Sequence, residues 1–144
     1  MDILSFYGDR HWLSNFHMAS ITYEGLTYTN SEAAFQAAKC KEIEDRNQFT
    51  NLLPGNAKTL GRNIELRPDW DQVKDQIMYD VCKAKFEQNP DLMNLLLATT
   101  GHLEEGNNHG DIIWGTVKGV GQNRLGKILM QLRDEFRNAA TAKI

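Results

Sequence analysis

The chain is short of cysteine, of proline and of long apolar runs, and each shortage removes a class of protein. Two cysteines in 144 residues cannot staple a small secreted scaffold. Cys40 and Cys82 stand far apart in stretches that read as helix, so reduced thiols in a cytoplasmic protein are expected. No apolar stretch approaches the roughly 20 residues that span a bilayer, and MDILSFYG lacks the basic start and apolar run of a signal peptide. No membrane partner is expected. Excess basic charge is missing too: the formal net charge is -3 and the pI ≈ 5.8, so the global field does not attract nucleic acid, and any anion must be gripped locally. The four histidines, His11, His17, His102 and His109, match no zinc spacing and have no cysteine or carboxylate framework around them, which argues against a metal. No cofactor motif and no internal repeat appears.

What remains suits a single compact domain over residues 1–144, since 41% hydrophobic content fills one core at this length. The class expected is α+β, mainly helical, with a short N-terminal β region. Ile3 to Tyr7 reads as extended, and Ile21 to Tyr28 as a hairpin turning near Glu24-Gly25. Helical character begins after Thr29, with Ser31 to Cys40, Glu44 to Leu53, and a short helix from Pro54 stopped at Gly61. Pro68 suits the first turn of the longest helix, with Asp69 and Asp71 at its positive end. Trp70, Val73, Ile77, Val81 and Ala84 mark that helix's buried face. After Asn89-Pro90, Asp91 to Thr99 forms another helix, and His102 to Glu105 and Asp111 to Trp114 read as strands. The last helix starts near Gln122 or Asn123 and buries Leu125, Ile128, Leu129, Leu132 and Phe136.

The segment TNSEAAFQAAKC, Thr29 to Cys40, is the most informative. Ala33, Ala34, Ala37 and Ala38 let neighbours approach closely, which points to a buried helix. Against them Glu32, Gln36 and Lys39 fall at i, i+4 and i+7, a polar stripe beside Phe35. A buried stripe of this kind needs partners. Thr29 followed three residues later by Glu32 matches a capping box, in which the carboxylate only reaches back to the cap. Alternatively Glu32 faces a ligand as an ionised carboxylate, suited to a base, a nucleophile or an electrostatic stabiliser. Nearby, Asn15 and Phe16 end the loop WLSNF, where an amide can hydrogen-bond a ligand and a ring can stack on a base. A turn asparagine and a core phenylalanine explain the same pair.

A second candidate lies in WGTVKGVGQNRLGKILMQLR. Gly115, Gly119, Gly121 and Gly126 flank Lys118, Asn123 and Arg124 before a helix, and amides at such a place can cradle a phosphate. Neither P-loop spacing nor a dinucleotide-binding context accompanies them. Turn glycines and close packing by Gly126 account for the loop equally well.

Taken in order, FYG, LSNF, NSEAAFQAAK, LGR at Leu60 to Arg62, LRPDW with KAKFEQNPDL, and WGTVKGVGQNRLGKILMQLR resemble the NADAR family, including its YbiA-like N-glycosidases, from Phe6 to about Phe136. The resemblance implies a hydrolase that cleaves the C1′–N bond of a ribosylated, nucleotide-like compound: aminouracil ribosyl phosphates related to riboflavin synthesis, or an ADP-ribose derivative. It places the family's catalytic glutamate on Glu32 and its tryptophans on Trp70 and Trp114. The aspartate often found after W-G is replaced here by Thr116. Under this resemblance Asn15, Gln36 and Lys39 are expected to hydrogen-bond ribose or base, Phe16 with Trp70 or Trp114 to stack, and the loop from Gly115 through Lys118, Gly119, Gly121, Asn123 and Arg124 to grip phosphate, with Arg62 a second phosphate candidate. Two other functions fit the same residues: a module that binds ADP-ribose or NAD without cutting it, and a glycohydrolase that removes ADP-ribose from guanine in nucleic acid. The acidic balance and the lack of a Lys/Arg cluster weigh against a polynucleotide.

Overall fold

The computed structural model describes residues 1–142. Its elements run β1 (Ile3–Ser5), a 3-10 turn (Gly8–Leu13), β2 (Met18–Tyr23), β3 (Leu26–Asn30), α1 (Ser31–Ala37), a second 3-10 turn (Ile43–Phe49), α2 (Pro54–Gly61), α3 (Trp70–Gln88), α4 (Pro90–Ala98), β4 (Leu103–Gly106) and α5 (Arg124–Ala142). The class is α+β and mainly helical. The chain clusters into two compact units, Asn15–Pro90 and Met1–Ser14 with Asp91–Ile144.

In the Asn15–Pro90 unit, β2 and β3 form an antiparallel hairpin. Glu24 and Gly25 both have positive φ, 49° and 88°, as the tight turn favoured by right-twisted strands requires. The alanines of α1 are fully buried, and small side chains there let α2, α3 and the hairpin pack around one short helix. The buried face of α3 comprises Trp70, Ile77, Met78, Val81, Cys82, Lys85 and Phe86. Val73 and Ala84, expected on that face, are only half-buried. Asp69 is the N-cap of α3, so Pro68 precedes the helix instead of opening it.

In the other unit, β1 pairs in parallel with β4, Ile3 opposite Leu103. Leu125, Leu129 and Leu132 of α5 are buried, whereas Ile128 and Phe136 are half-buried. A Cβ on Gly126 would lie 2.3 Å from the Leu103 carbonyl oxygen, so glycine is what lets α5 reach the strand.

Three expected elements differ. Glu44 to Leu53 is not an α-helix but the 3-10 turn Ile43–Phe49. Cys40 lies beyond α1 in a bridge with Leu66; both cysteines are buried free thiols. Asp111 to Trp114 is no strand. Asp111 Oδ1 accepts from the amides of Ile113 and Trp114, and the carbonyls of Ile112, Ile113 and Trp114 accept from Gln122, Arg124 and Leu125. A side-chain acceptor coils the segment, and its carbonyls then receive the start of α5.

Candidate functional site

Glu32 is held by its neighbours on α1 and by the Asn15 loop. Asn30, not Thr29, caps the helix: its Oδ1 accepts from the Ala33 amide at 2.8 Å, and its Nδ2 donates to the Leu52 carbonyl at 2.9 Å. The capping box is therefore absent. Glu32 instead points along the helix, its Oε1 accepting from Gln36 Nε2 at 2.9 Å. The Glu32 amide donates to the Asn15 carbonyl at 3.2 Å, and Ser31 Oγ donates to Asn15 Oδ1 at 2.8 Å. Asn15 Nδ2 approaches Met78 Sδ at 3.2 Å. The Asn15 carbonyl and side-chain amide thus tie the loop to the first turn of α1, at Glu32 and Ser31 respectively, and Asn15 itself is 5% exposed.

The polar stripe exists as a physical row. Glu32 is 7% and Gln36 4% exposed, while Lys39 is half-buried past the helix end. Lys39 Nζ stands 5.8 Å from the centroid of the Trp70 ring, which packs on Phe35 with centroids 5.2 Å apart, a geometry in which the ring face attracts the ammonium. Burial pushes the Lys39 ammonium below its ordinary value; Glu32 opposes that shift, whereas Arg62 and Lys58 add to it. One carboxylate and three cations therefore share one neighbourhood. Gly61 brings α2 onto the row, for a Cβ there would lie 1.9 Å from Gln36 Oε1. That oxygen is buried against α2 with no hydrogen-bond partner among the described residues.

Lys58 is the residue that sequence reasoning missed. Its Nζ lies 5.9 Å from the Phe16 ring centroid, and Phe16 is 39% exposed, not part of the core. The available signal was spacing: Lys58 and Arg62 differ by four, one turn of α2.

The glycine loop belongs to the other unit and is built differently. Lys118 and Gly119, with φ of 52° and 80°, make a tight turn closed by reciprocal bonds between Val117 and Val120. The amides of Thr116, Val117, Val120, Gln122, Asn123, Arg124 and Leu125 all donate to backbone carbonyls. A Cβ on Gly115 would meet the Glu105 carbonyl oxygen at 2.1 Å, and one on Gly121 the Gly115 carbonyl oxygen at 2.5 Å. Asn123 is buried; its Oδ1 accepts from the Glu105 amide at 2.9 Å and its Nδ2 donates to the Leu103 carbonyl at 2.9 Å. Arg124 Nε donates to Gln122 Oε1 at 2.8 Å. Trp114 is half-buried. These bonds hold the loop to itself and to β4, and the amides of Gly115, Lys118, Gly119 and Gly121 take no part in them.

Beside that loop is a cavity of about 470 Å³ whose walls include Tyr7, Glu104, Asn107, Thr116, Lys118 and Gly119. Thr116 Oγ1 donates to Glu104 Oε2 at 2.6 Å, and His102 Nε2 lies 3.1 Å from Glu104 Oε1. The Thr116 hydroxyl, and then His102, hold the Glu104 carboxyl below the usual carboxylate range. Among the described residues, no three His, Cys, Asp or Glu side chains gather as a metal site, and no helix is long and apolar enough to cross a membrane.

A NADAR domain model matches residues 5–137. The N-glycosidase YbiA of Shigella flexneri serotype 5b (strain 8401) is 39% identical, over 90% of this chain and 82% of its own length. A riboflavin biosynthesis protein of Vibrio vulnificus (strain YJ016) is 32% identical over 90% of this chain and 36% of its own. Among solved structures, the NMR structure of the E. coli protein YbiA matches with a TM-score of 0.84 at 36% identity, covering 98% of this chain and 86% of that one.

Proposed function

We propose that this chain, which belongs to the NADAR family, is an N-glycosidase that hydrolyses the C1′–N bond of a ribosylated, nucleotide-like substrate, either an aminouracil ribosyl phosphate or an ADP-ribose derivative. Relatives named N-glycosidase and riboflavin biosynthesis protein support the reaction type and the substrate class. The observation that carries the mechanism is a nearly buried carboxylate, Glu32, oriented by Gln36 in a cluster of cations and aromatic rings.

Breaking the C1′–N bond sends its electron pair to the base nitrogen and leaves positive charge on the ribose ring. Glu32 stabilises that charge more in the transition state than in the ground state. At ~4 Å and an effective dielectric near 20, the attraction is about 4 kcal/mol, roughly a thousandfold in rate. A water held by Glu32 adds its oxygen to C1′, and its proton passes to the departing base or to solvent, giving a free base and a ribose hydroxyl. Trp70 and Phe16 offer faces to the base, and Arg62 meets a phosphate.

The test is a mass-spectrometric search for free base released by wild type and Glu32→Gln from aminouracil ribosyl phosphates, ADP-ribose, NAD and ADP-ribosylated guanine oligonucleotides. Release from one substrate by wild type alone supports both reaction and residue. Equal release by the variant removes Glu32 from the mechanism, and binding with no release from any substrate replaces the enzyme by a binding module.

A further inference from the structure

We propose that the cavity beside β4 binds a free α-amino acid with an apolar side chain, its ammonium on the Glu104 carboxylate and its carboxylate at the Lys118–Gly119 turn. The site does not depend on the reaction proposed above. Its walls include Leu4, Tyr7, Glu104, Thr116, Lys118 and Gly119, and all of these belong to the unit that does not contain Glu32.

Four observations lead there. The first is a carboxylate already set in place. The Glu104 side chain is only 20% exposed; its Oε2 accepts from the Thr116 hydroxyl at 2.6 Å, and its Oε1 lies 3.1 Å from His102 Nε2. Each carboxylate oxygen has two acceptor positions, so each keeps one for a ligand, and a group held this firmly loses little freedom on receiving an ammonium. Thr116 and His102 keep the carboxyl below the usual carboxylate range, so it is charged at neutral pH. The second is a positive wall that does not cancel it. Lys118 lines the same cavity, yet the ion pair of Glu104 is with His102 and not with Lys118. The amides of Lys118 and Gly119 give no bond to a backbone carbonyl, and Gly119, at a φ of 80°, puts no side chain over the turn. Opposite charges on the walls of one cavity complement a ligand that carries both.

The third observation is the amount of charge. One lysine balances one carboxylate, whereas a phosphate monoester brings about -1.5 to -2 at neutral pH and meets Glu104 as a like charge. The ligand is therefore of another class than the phosphorylated substrate. The fourth is the apolar part of the wall. Leu4 is 60% and Tyr7 53% exposed, and they offer an aliphatic and an aromatic surface to an apolar side chain. A volume of about 470 Å³ falls within the range of roughly 300–1,000 Å³ typical of small-molecule sites.

Amide NMR titration of the full chain tests this without turnover. L-leucine and L-phenylalanine should shift the backbone amides of Gly106, Thr116, Lys118 and Gly119 in a saturable way. Leucinamide, which lacks the carboxylate, and N-acetyl-leucine, which lacks the ammonium, should each bind about tenfold more weakly than leucine. Ribose 5-phosphate should leave these amides unmoved. Glu104→Gln should weaken leucine about tenfold, as should Lys118→Asn, a substitution that accepts the positive φ of the turn. Glu32→Gln should bind leucine as wild type does, so the amino-acid site and the proposed catalysis can fail separately. The proposal is overturned if neither amino acid gives saturable shifts, if the shifts lie away from the cavity walls, or if leucine and its two blocked forms bind equally. Full affinity in a folded Glu104→Gln also overturns it, and the blocked ligands carry the test on the wild-type chain alone should that variant not fold.

Discussion

The α1–α2 cluster and the glycine loop both look, as strings of residues, like places for a phosphorylated ligand, and they differ in whether their polar groups are already engaged. In the cluster, Gln36 Oε1 has no partner among the described residues, and Lys39 stands under the influence of Glu32, Arg62 and Lys58. In the loop, the amides of Thr116, Val117, Val120 and Gln122 donate to carbonyls while those of Lys118, Gly119 and Gly121 do not, and Asn123 gives both ends of its side-chain amide to β4. Glycine in the first place, at Gly61, brings a helix onto a polar side chain; in the second, Gly115 and Gly121 bring backbone onto backbone. Ligand binding needs groups the fold has not used. By that criterion the row on α1 and the turn at Lys118 and Gly119 are two separate candidate sites.

The largest expected effect tests the first half of that contrast. Glu32→Gln keeps shape while removing charge, and kcat/KM should fall about a thousandfold, near 4 kcal/mol, with the melting temperature little changed. A fall in stability equal to the loss of activity would make Glu32 structural. The next tests the second half. Asn123→Ala leaves the Glu105 amide and Leu103 carbonyl without their side-chain partner and puts alanine at a φ of 49°. A loss of about 2–4 kcal/mol in urea unfolding follows from two buried groups left unpaired. A loss confined to ligand affinity would return Asn123 to the binding site.

Much of this was legible in sequence where one element determines its own geometry. The Glu32, Gln36, Lys39 stripe, the Glu24-Gly25 turn, the Pro54 to Gly61 helix and the break at Asn89-Pro90 follow from period, turn chemistry and proline. What failed depended on partners distant in sequence. Thr29 and Asn30 are both able caps, and the Leu52 carbonyl that receives Asn30 Nδ2 cannot be read from the helix itself. Asp111 to Trp114 has strand-like composition, but Asp111 and the start of α5 claim its backbone. The contact of Lys58 with the Phe16 ring joins elements far apart in sequence, and Lys85 sits fully buried in α3 where helical periodicity alone would not put a lysine. The role of Thr116 was equally hidden, because its partner Glu104 is on another element.

A smaller effect sharpens the contrast directly. If the loop gripped phosphate, the double variant Lys118→Ala/Arg124→Ala would reduce ribose 5-phosphate binding more than ribose binding. With Arg124 Nε donating to Gln122, we expect a change below about threefold, under ~0.7 kcal/mol. A greater loss in the loop variant would place the phosphate at the loop.

The smallest effect concerns Thr116 and is read in pH. The Thr116 hydroxyl is the main reason the Glu104 carboxyl titrates below its ordinary value of 4.5, so the folded state favours the carboxylate more than the unfolded chain does. That contribution is present above pH 4.5 and is lost as pH falls through the lowered folded value. Thr116→Val removes the donor while keeping the shape, and stability measured between pH 7 and pH 3 should fall less steeply than in wild type. Solvent screens the group, so the difference at neutral pH should stay below about 1 kcal/mol. His102 still holds the other carboxylate oxygen, and only the double variant with His102→Gln should remove the whole of Glu104's share of the acid limb, leaving that of Asp69. If Thr116→Val instead abolishes base release while the acid limb keeps its wild-type slope, Thr116 contacts substrate, and the loop carries chemistry after all.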